Sequence, residues 1–210
     1  MWVLKLGGSL YHTRQLRPWL DAIADLPEAP VVVPGGGPFA DSVREAQRQW
    51  GFDDIAAHHM AILGMQQMAL MLCSLQERFE PVASAAAIRM ALKAGRVPVW
   101  LPGRMLQGAA DIATSWDVSS DSLAAWLASR LDAAGLVLVK SAELDAERRS
   151  IAQLQQDGVL DRAFLRFHET GFIPTLLLNR HQHPQLTALL QGGLEAQRCA
   201  FLPDMAACSE

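Results

Sequence analysis

Lysine is scarce in this chain: Lys5, Lys93 and Lys140 stand against fifteen arginines. Cysteine is scarcer still as a pattern. Cys73, Cys199 and Cys208 are odd in number, and none stands in a C-x-x-C spacing. That excludes a disulfide framework and fits reduced thiols in a cytoplasmic protein. Positive charge is not in excess, because the formal net charge is −4. No electrostatic case follows for nucleic acid or for an acidic membrane surface, and an anionic ligand must be held by a few local cations. Long hydrophobic runs are missing too. The most apolar stretch, "MAILGMQQMALMLCSL", is interrupted by Gln66 and Gln67 and is too short to span a bilayer. The opening residues already look like a strand and lack a basic region, so no signal peptide is expected. No G-x-x-x-x-G-K-[ST] phosphate loop occurs, no His/Cys cluster has metal-ligand spacing, and no repeat or low-complexity linker breaks the chain.

What is present is a core. Half of the 210 residues are hydrophobic, enough for one packed domain over residues 1–210. Apolar runs alternate with helical patterns. The runs "WVLKL", "APVVVP", "VPVWLP", "GLVLVK" and "FIPTLLLN" read as strands. Residues 13–25, 38–50, 54–78, 84–94, 119–133 and 183–191 read as helices. Runs such as "VVV" and "LVLV" are apolar at successive positions, as in strands covered on both faces. The expected fold is an α/β three-layer sandwich with a mainly parallel central sheet. The polar stretch "SAELDAERRSIAQLQQDGVLDRAF" is expected to pass over the site.

Ligands of open parallel sheets gather at the carboxyl ends of the strands, and four such ends carry unusual residues. In "KLGGSL", Lys5 precedes two glycines whose bare amides can approach an anion. In "VVVPGGGPFADSVREAQ", Gly35, Gly36 and Gly37 meet a helix opened by Pro38. In "SWDVSSDSLAAWLASRL", Asp117 and Asp121 share a face if both are helical. Asp117, Ser119 or Ser120 can equally cap that helix. Lys140 ends the apolar run "GLVLVK", so two of the three lysines stand at strand ends, while Lys93 has the setting of a solvated helix end.

K-x-G-G-S, then G-G-G before a helix, then D-x-x-x-D-x-x-A, resembles the amino acid kinase family in order and spacing, from residue 1 to about 140 and again at "LLLNRHQHPQLTALLQGG". The resemblance implies transfer of the γ-phosphoryl group of MgATP to a small acid. Lys5 would stabilise the transferring group, and Gly7, Gly8 and Ser9 would hold ATP phosphates. Gly35, Gly36 and Gly37 would face the acceptor. Asp121 would orient the lysines, with Asp117 as the polar residue before it. The chain departs from many members in lacking a late G-G-M-x-x-K lysine, so Lys140 is expected to supply the second cation. Mg²⁺ is expected to arrive on ATP rather than on a protein site.

The stretch from "VVVPGGG" to "GMQQMAL" resembles, within that family, the small kinases of methanofuran biosynthesis, which act on a phosphate monoester bearing an aminomethyl group. Asp41 would then meet a substrate ammonium, or else be a surface residue favoured by the helix dipole. Arg44 would meet the acceptor phosphate, or form a solvated pair with Arg48. His58 and His59 are adjacent and cannot face the same way; His58 is read as core-facing and His59 as the candidate acceptor contact. Met60, Met65, Met68 and Met71 recur at helical spacing and are read as core or as a homodimer seam. Alternatives to a diphosphate-forming kinase are a carboxylate kinase that makes an acyl phosphate, and a nucleotide-binding or anion-binding module without catalysis.

Overall fold

Each valine- and leucine-rich run becomes a strand because both of its faces are covered. The computed structural model describes residues 1–142, 150–171 and 173–191, with residues 169–171 as backbone alone. Cys199, Cys208 and residues 143–149 of the polar stretch lie outside them. The strands are β1 (Trp2–Leu6), β2 (Val31–Pro34), β3 (Phe79–Val82), β4 (Val97–Trp100), β5 (Gly135–Lys140) and β6 (Thr175–Asn179). They form one sheet in the order β3-β4-β2-β1-β5-β6, and every pairing is parallel. The expected three-layer α/β architecture is therefore the one observed.

Nine helices surround the sheet among the described residues: α1 (Leu16–Ala24), α2 (Gly37–Trp50), α3 (Asp54–Leu75), α4 (Ala85–Lys93), α5 (Gly103–Leu106), α6 (Ser120–Arg130), α7 (Ile151–Gln156), α8 (Phe164–Gly171) and α9 (Leu186–Gln191). Alternation along the strands divides the core in two. Val3, Val31, Val33, Leu136 and Leu138 pack with α4, α6, α7 and α8. Leu4, Leu6, Val32, Val137 and Val139 pack with α1 and the carboxyl half of α3. Helix α3 serves both layers, because Ile62 and Met65 enter the first cluster while Met68 and Leu72 enter the second. Helix α6 is apolar nearly all round and is buried from Asp121 through Ala128. No helix among the described residues is long and apolar enough to cross a membrane.

Two of the differences from the sequence reading matter most. The helix expected over 54–78 stops at Leu75, and Phe79–Val82 is a strand instead. Its Pro81 is tolerated because β3 lies at the sheet edge. The helix expected from residue 119 begins at Ser120 with Ser119 as its N-cap. Asp117 is therefore outside the helix, and the shared face with Asp121 does not form.

Strand β1 lies between β2 and β5. The chain leaves β1 on one side and returns on the other, which makes a topological switch point at its carboxyl end. Lys5, Lys140 and the glycine turns are gathered there.

Candidate active site

Lys5 lies in the middle of the sheet, in register with Val33 of β2 and Leu138 of β5. Lys140 ends β5, opposite Asn179 of β6. Both ammonium groups meet one carboxylate from the first turn of α6. Lys5 Nζ is 2.7 Å from Asp121 Oδ1, and Lys140 Nζ donates to Asp121 Oδ2. The side chains are 6 %, 13 % and 4 % exposed for Lys5, Lys140 and Asp121, so the triad is almost withdrawn from water. Burying a charge is costly unless it is paired. Asp121 balances one ammonium and leaves one positive charge over, which is the condition for drawing in an anion.

The protonation equilibria show the same imbalance. Burial alone would raise the Asp121 carboxyl, but Lys5 and Lys140 hold it below the usual carboxylate range. Burial, and then the neighbouring Lys5, lower Lys140 to about 8, against the support of Asp121 and Asp161.

The two glycine turns are built into each other. The Gly7 amide donates to Val139 O at 2.9 Å and the Gly35 amide to Leu6 O at 2.8 Å. Gly7 was expected to hold ATP phosphates and Gly35 to face the acceptor, yet the amides of these two are committed to the sheet. Beyond them the turns touch backbone to backbone. A Cβ on Gly8 would come within 2.4 Å of Gly37 N, and one on Gly35 within 2.3 Å of Gly8 N. Gly37 has φ +53°, a conformation that costs glycine little. Residues 8–12 form a 3-10 turn in which Ser9 Oγ lies 2.6 Å from Ser141 Oγ, just past Lys140. The first turn is thus tied to the end of β5.

Beside the triglycine turn a cleft is lined by Gly36, Ala40, Arg44, His58, Ile62, Met65, Trp116 and Ser119, among others. Arg44 lies over the Trp116 ring, 4.6 Å from its centroid, and pairs with Asp41 at 2.6 Å. Trp116 is fixed by Gln47, whose Oε1 accepts from the indole nitrogen at 2.7 Å, while Gln47 Nε2 reaches Asp54 at 2.8 Å. The core-facing reading of His58 agrees with the structure. His58 is buried in the cleft wall, its Nδ1 3.3 Å from Ser115 O, and burial lowers its pKa. His59 lies one residue around the helix and is exposed. Asp117 is exposed as well, 3.6 Å from Arg162, away from the Asp121 carboxylate contacts.

A second, more open hollow lies near the amino ends of β3 and β4, lined by Asp21, Asp25, Glu77, Arg78 and Arg96. Arg78 donates to Leu26 O and Gly95 O, so this cation closes a seam of main-chain carbonyls.

Sequence reasoning missed Trp116, Gln47 and Asp161. Trp116 stands directly before Asp117 in S-W-D-V-S-S-D, where its position offers a signal. Gln47 and Asp161 carry none, because their partners are distant in the chain.

The amino acid kinase family model matches residues 1–154. The [5-(aminomethyl)furan-3-yl]methyl phosphate kinase of Methanocaldococcus jannaschii is 24% identical over 142 residues, covering 66% of this chain. The match spans 64% of that relative's length. Solved structures share the fold. Uridylate kinase from Archaeoglobus fulgidus aligns with TM-score 0.66 and 19% identity, covering 91% of this chain and 95% of that one. UMP kinase from Bacillus anthracis aligns with TM-score 0.68 and 15% identity, covering 91% of each chain.

Proposed function

We propose that this chain, which belongs to the amino acid kinase family, transfers the γ-phosphoryl group of ATP to a small phosphate monoester and so makes a diphosphate. The observation that carries this reading is the pair of buried lysines on one carboxylate at the switch point, with one positive charge unbalanced. Phosphoryl transfer needs alignment and charge neutralisation more than covalent help, and this arrangement offers both. ATP lies with its phosphates along Gly8 and Ser9, and Mg²⁺ enters with it as part of the substrate. Lys5 and Lys140 meet the transferring group while Asp121 keeps their ammoniums in place. An oxygen of the acceptor phosphate attacks the γ-phosphorus. The bond from that phosphorus to the β,γ-bridging oxygen breaks, and its electron pair leaves with ADP. The attacking oxygen is already anionic at neutral pH, so no general base is required.

The acceptor phosphate meets Arg44, which Trp116 and Asp41 hold at the mouth of the cleft. Asp41 supplies a carboxylate for a substrate ammonium. The relative from M. jannaschii acts on [5-(aminomethyl)furan-3-yl]methyl phosphate, which carries both groups, and that compound is the acceptor to try first. The test is substrate-dependent ADP release, with phosphorus NMR of the product. A diphosphate supports the reading and an acyl phosphate from a carboxylic acid replaces it. Tight ATP binding without transfer to any phosphate or acid would leave a binding module.

The working form on this reading is a cytoplasmic homodimer. Ile55, Leu63 and Leu70 share one side of α3 and are each more than half exposed. Light scattering should give twice the chain mass, falling to one chain in a Leu63→Glu, Leu70→Glu double variant.

A further inference from the structure

We infer that Asp161 is a positioning residue for this reaction: from the loop between α7 and α8 it fixes the first turn of α6, and with it the Asp121 carboxylate between the two lysines. The inference rests on the phosphoryl-transfer reading above for its catalytic consequence, and on geometry for its structural one. Asp161 Oδ2 accepts from Ser119 N at 3.0 Å, from Ser119 Oγ at 2.7 Å and from Ser122 N at 3.0 Å, and Oδ1 accepts from Ser122 Oγ. The opening amides of a helix have no partner within it, and a negative charge there is favoured by the dipole. Most helices meet this need with a local cap. Here the local cap is weak, since Ser119 Oγ accepts from Asp121 N at a long 3.5 Å. A carboxylate from forty residues further on does the work instead, judged by its 39- and 42-residue separations.

The two serines it grips flank Asp121, so the turn cannot fray or rotate without carrying the lysine anchor away. The loop is itself fastened. Gln155 Nε2 donates to Asp161 O and Arg162 O, each at 2.8 Å, and Ala163 N donates to Asp117 O at 3.1 Å. The largest charge effects on the Lys140 ammonium come from Lys5, Asp121 and Asp161, and Asp161 supports its proton. Asp161 therefore acts on the triad twice, by holding Asp121 in place and by its own charge.

The test uses Asp161→Asn, which keeps the shape and removes the charge, beside Ser122→Ala, which removes one hydroxyl. For Asp161→Asn, kcat should fall roughly 10-fold or more, as small misplacements of reacting groups do, with KM for ATP nearly unchanged. The chain has three lysines, so ¹³Cε-lysine NMR resolves them, and the Lys140 midpoint should move to lower pH. Ser122→Ala should lower kcat less and leave that midpoint in place. A fall in melting temperature with kcat and the Lys140 midpoint both unaltered would overturn the inference by reducing Asp161 to an ordinary cap. Should Asp161→Asn not fold, an undiminished kcat in Ser122→Ala overturns it instead. If the unsubstituted protein transfers phosphate to nothing, the kinase reading fails, and the NMR midpoint still decides whether Asp161 governs the triad.

Discussion

Replacing Asp121 by Asn takes the single negative charge from between two buried ammoniums and changes little else. At the 2.7 Å separation of Lys5 and Asp121, an effective dielectric of about 20 gives an attraction of about 6 kcal/mol per pair. Desolvation offsets part of this, and breaking a buried pair costs about 3–5 kcal/mol in practice. The variant has a way to lessen that loss. Lys140 stands at about 8 in the intact triad, so shedding its proton at pH 7 costs only about 1.4 kcal/mol. Without Asp121 its affinity for the proton falls further. The variant at neutral pH should therefore hold Lys5 charged and Lys140 neutral.

The sign of the pH dependence follows. A lysine is a cation below its pKa, so kcat/KM of the unsubstituted enzyme should be level up to about pH 8 and decline above it. In Asp121→Asn the decline begins at lower pH, and the ratio of the two enzymes is smallest in acid. Bound MgATP adds negative charge, so the limb in kcat should lie at higher pH than the limb in kcat/KM. Stability moves the other way. Between about 8 and the ordinary 10.5 the unfolded chain holds more protons at Lys140 than the native one, so the unsubstituted protein should gain stability across that window. Initial rates of ADP release between about pH 5.5 and 9.5, with thermal unfolding at each pH, decide the matter. Two profiles that differ by a constant factor at every pH would mean that Asp121 does not govern lysine protonation.

Lys5→Ala should reduce turnover by ~10³-fold or more, as loss of a cation from a phosphoryl-transfer transition state does, and a burst-free time course with intact ATP binding would check it. Arg44→Ala and Trp116→Ala should raise KM for the acceptor roughly 10-fold or more while leaving KM for ATP alone, since a charge-assisted bond is worth about 1.5–3 kcal/mol; steady-state kinetics with each substrate varied separates the two. Gly8→Ala places a methyl group 2.4 Å from Gly37 N, so it should lower the melting temperature and reduce binding of both substrates together. Gly51→Ala at an open helix end, with φ +68° but nothing within 4 Å, should cost about 1–2 kcal/mol and leave kinetics unchanged.

The parallel core was legible in the chain because "VVV" and "LVLV" are apolar on consecutive residues, a pattern that two covered faces require and one does not. The edge strand β3 was not. "FEPV" is short, holds Pro81 and Glu80, and follows a helix with no glycine to punctuate the change. Lys5, Lys140 and Asp121 could be picked out because rare residues at the ends of apolar runs are conspicuous. His58 could be read as the inward-facing member of its pair, but not as part of the cleft wall, because its partner there, Ser115, is distant in the chain. Asp161 was hidden for another reason: its meaning depends on a helix end that only the fold brings beside it.

The contact between Gly8 and the triglycine turn has an implication for how such a protein can change. On the proposed reading, the seat for the donor's phosphates and the seat for the acceptor rest on one another with no side chain between, so the gap that the phosphorus must cross is set by bare peptide thickness. Neither seat can be shifted alone. Diversification toward new acceptors is thereby directed to the far wall, where Arg44 and Trp116 stand, and the stride between the two partners stays the same whatever is brought in.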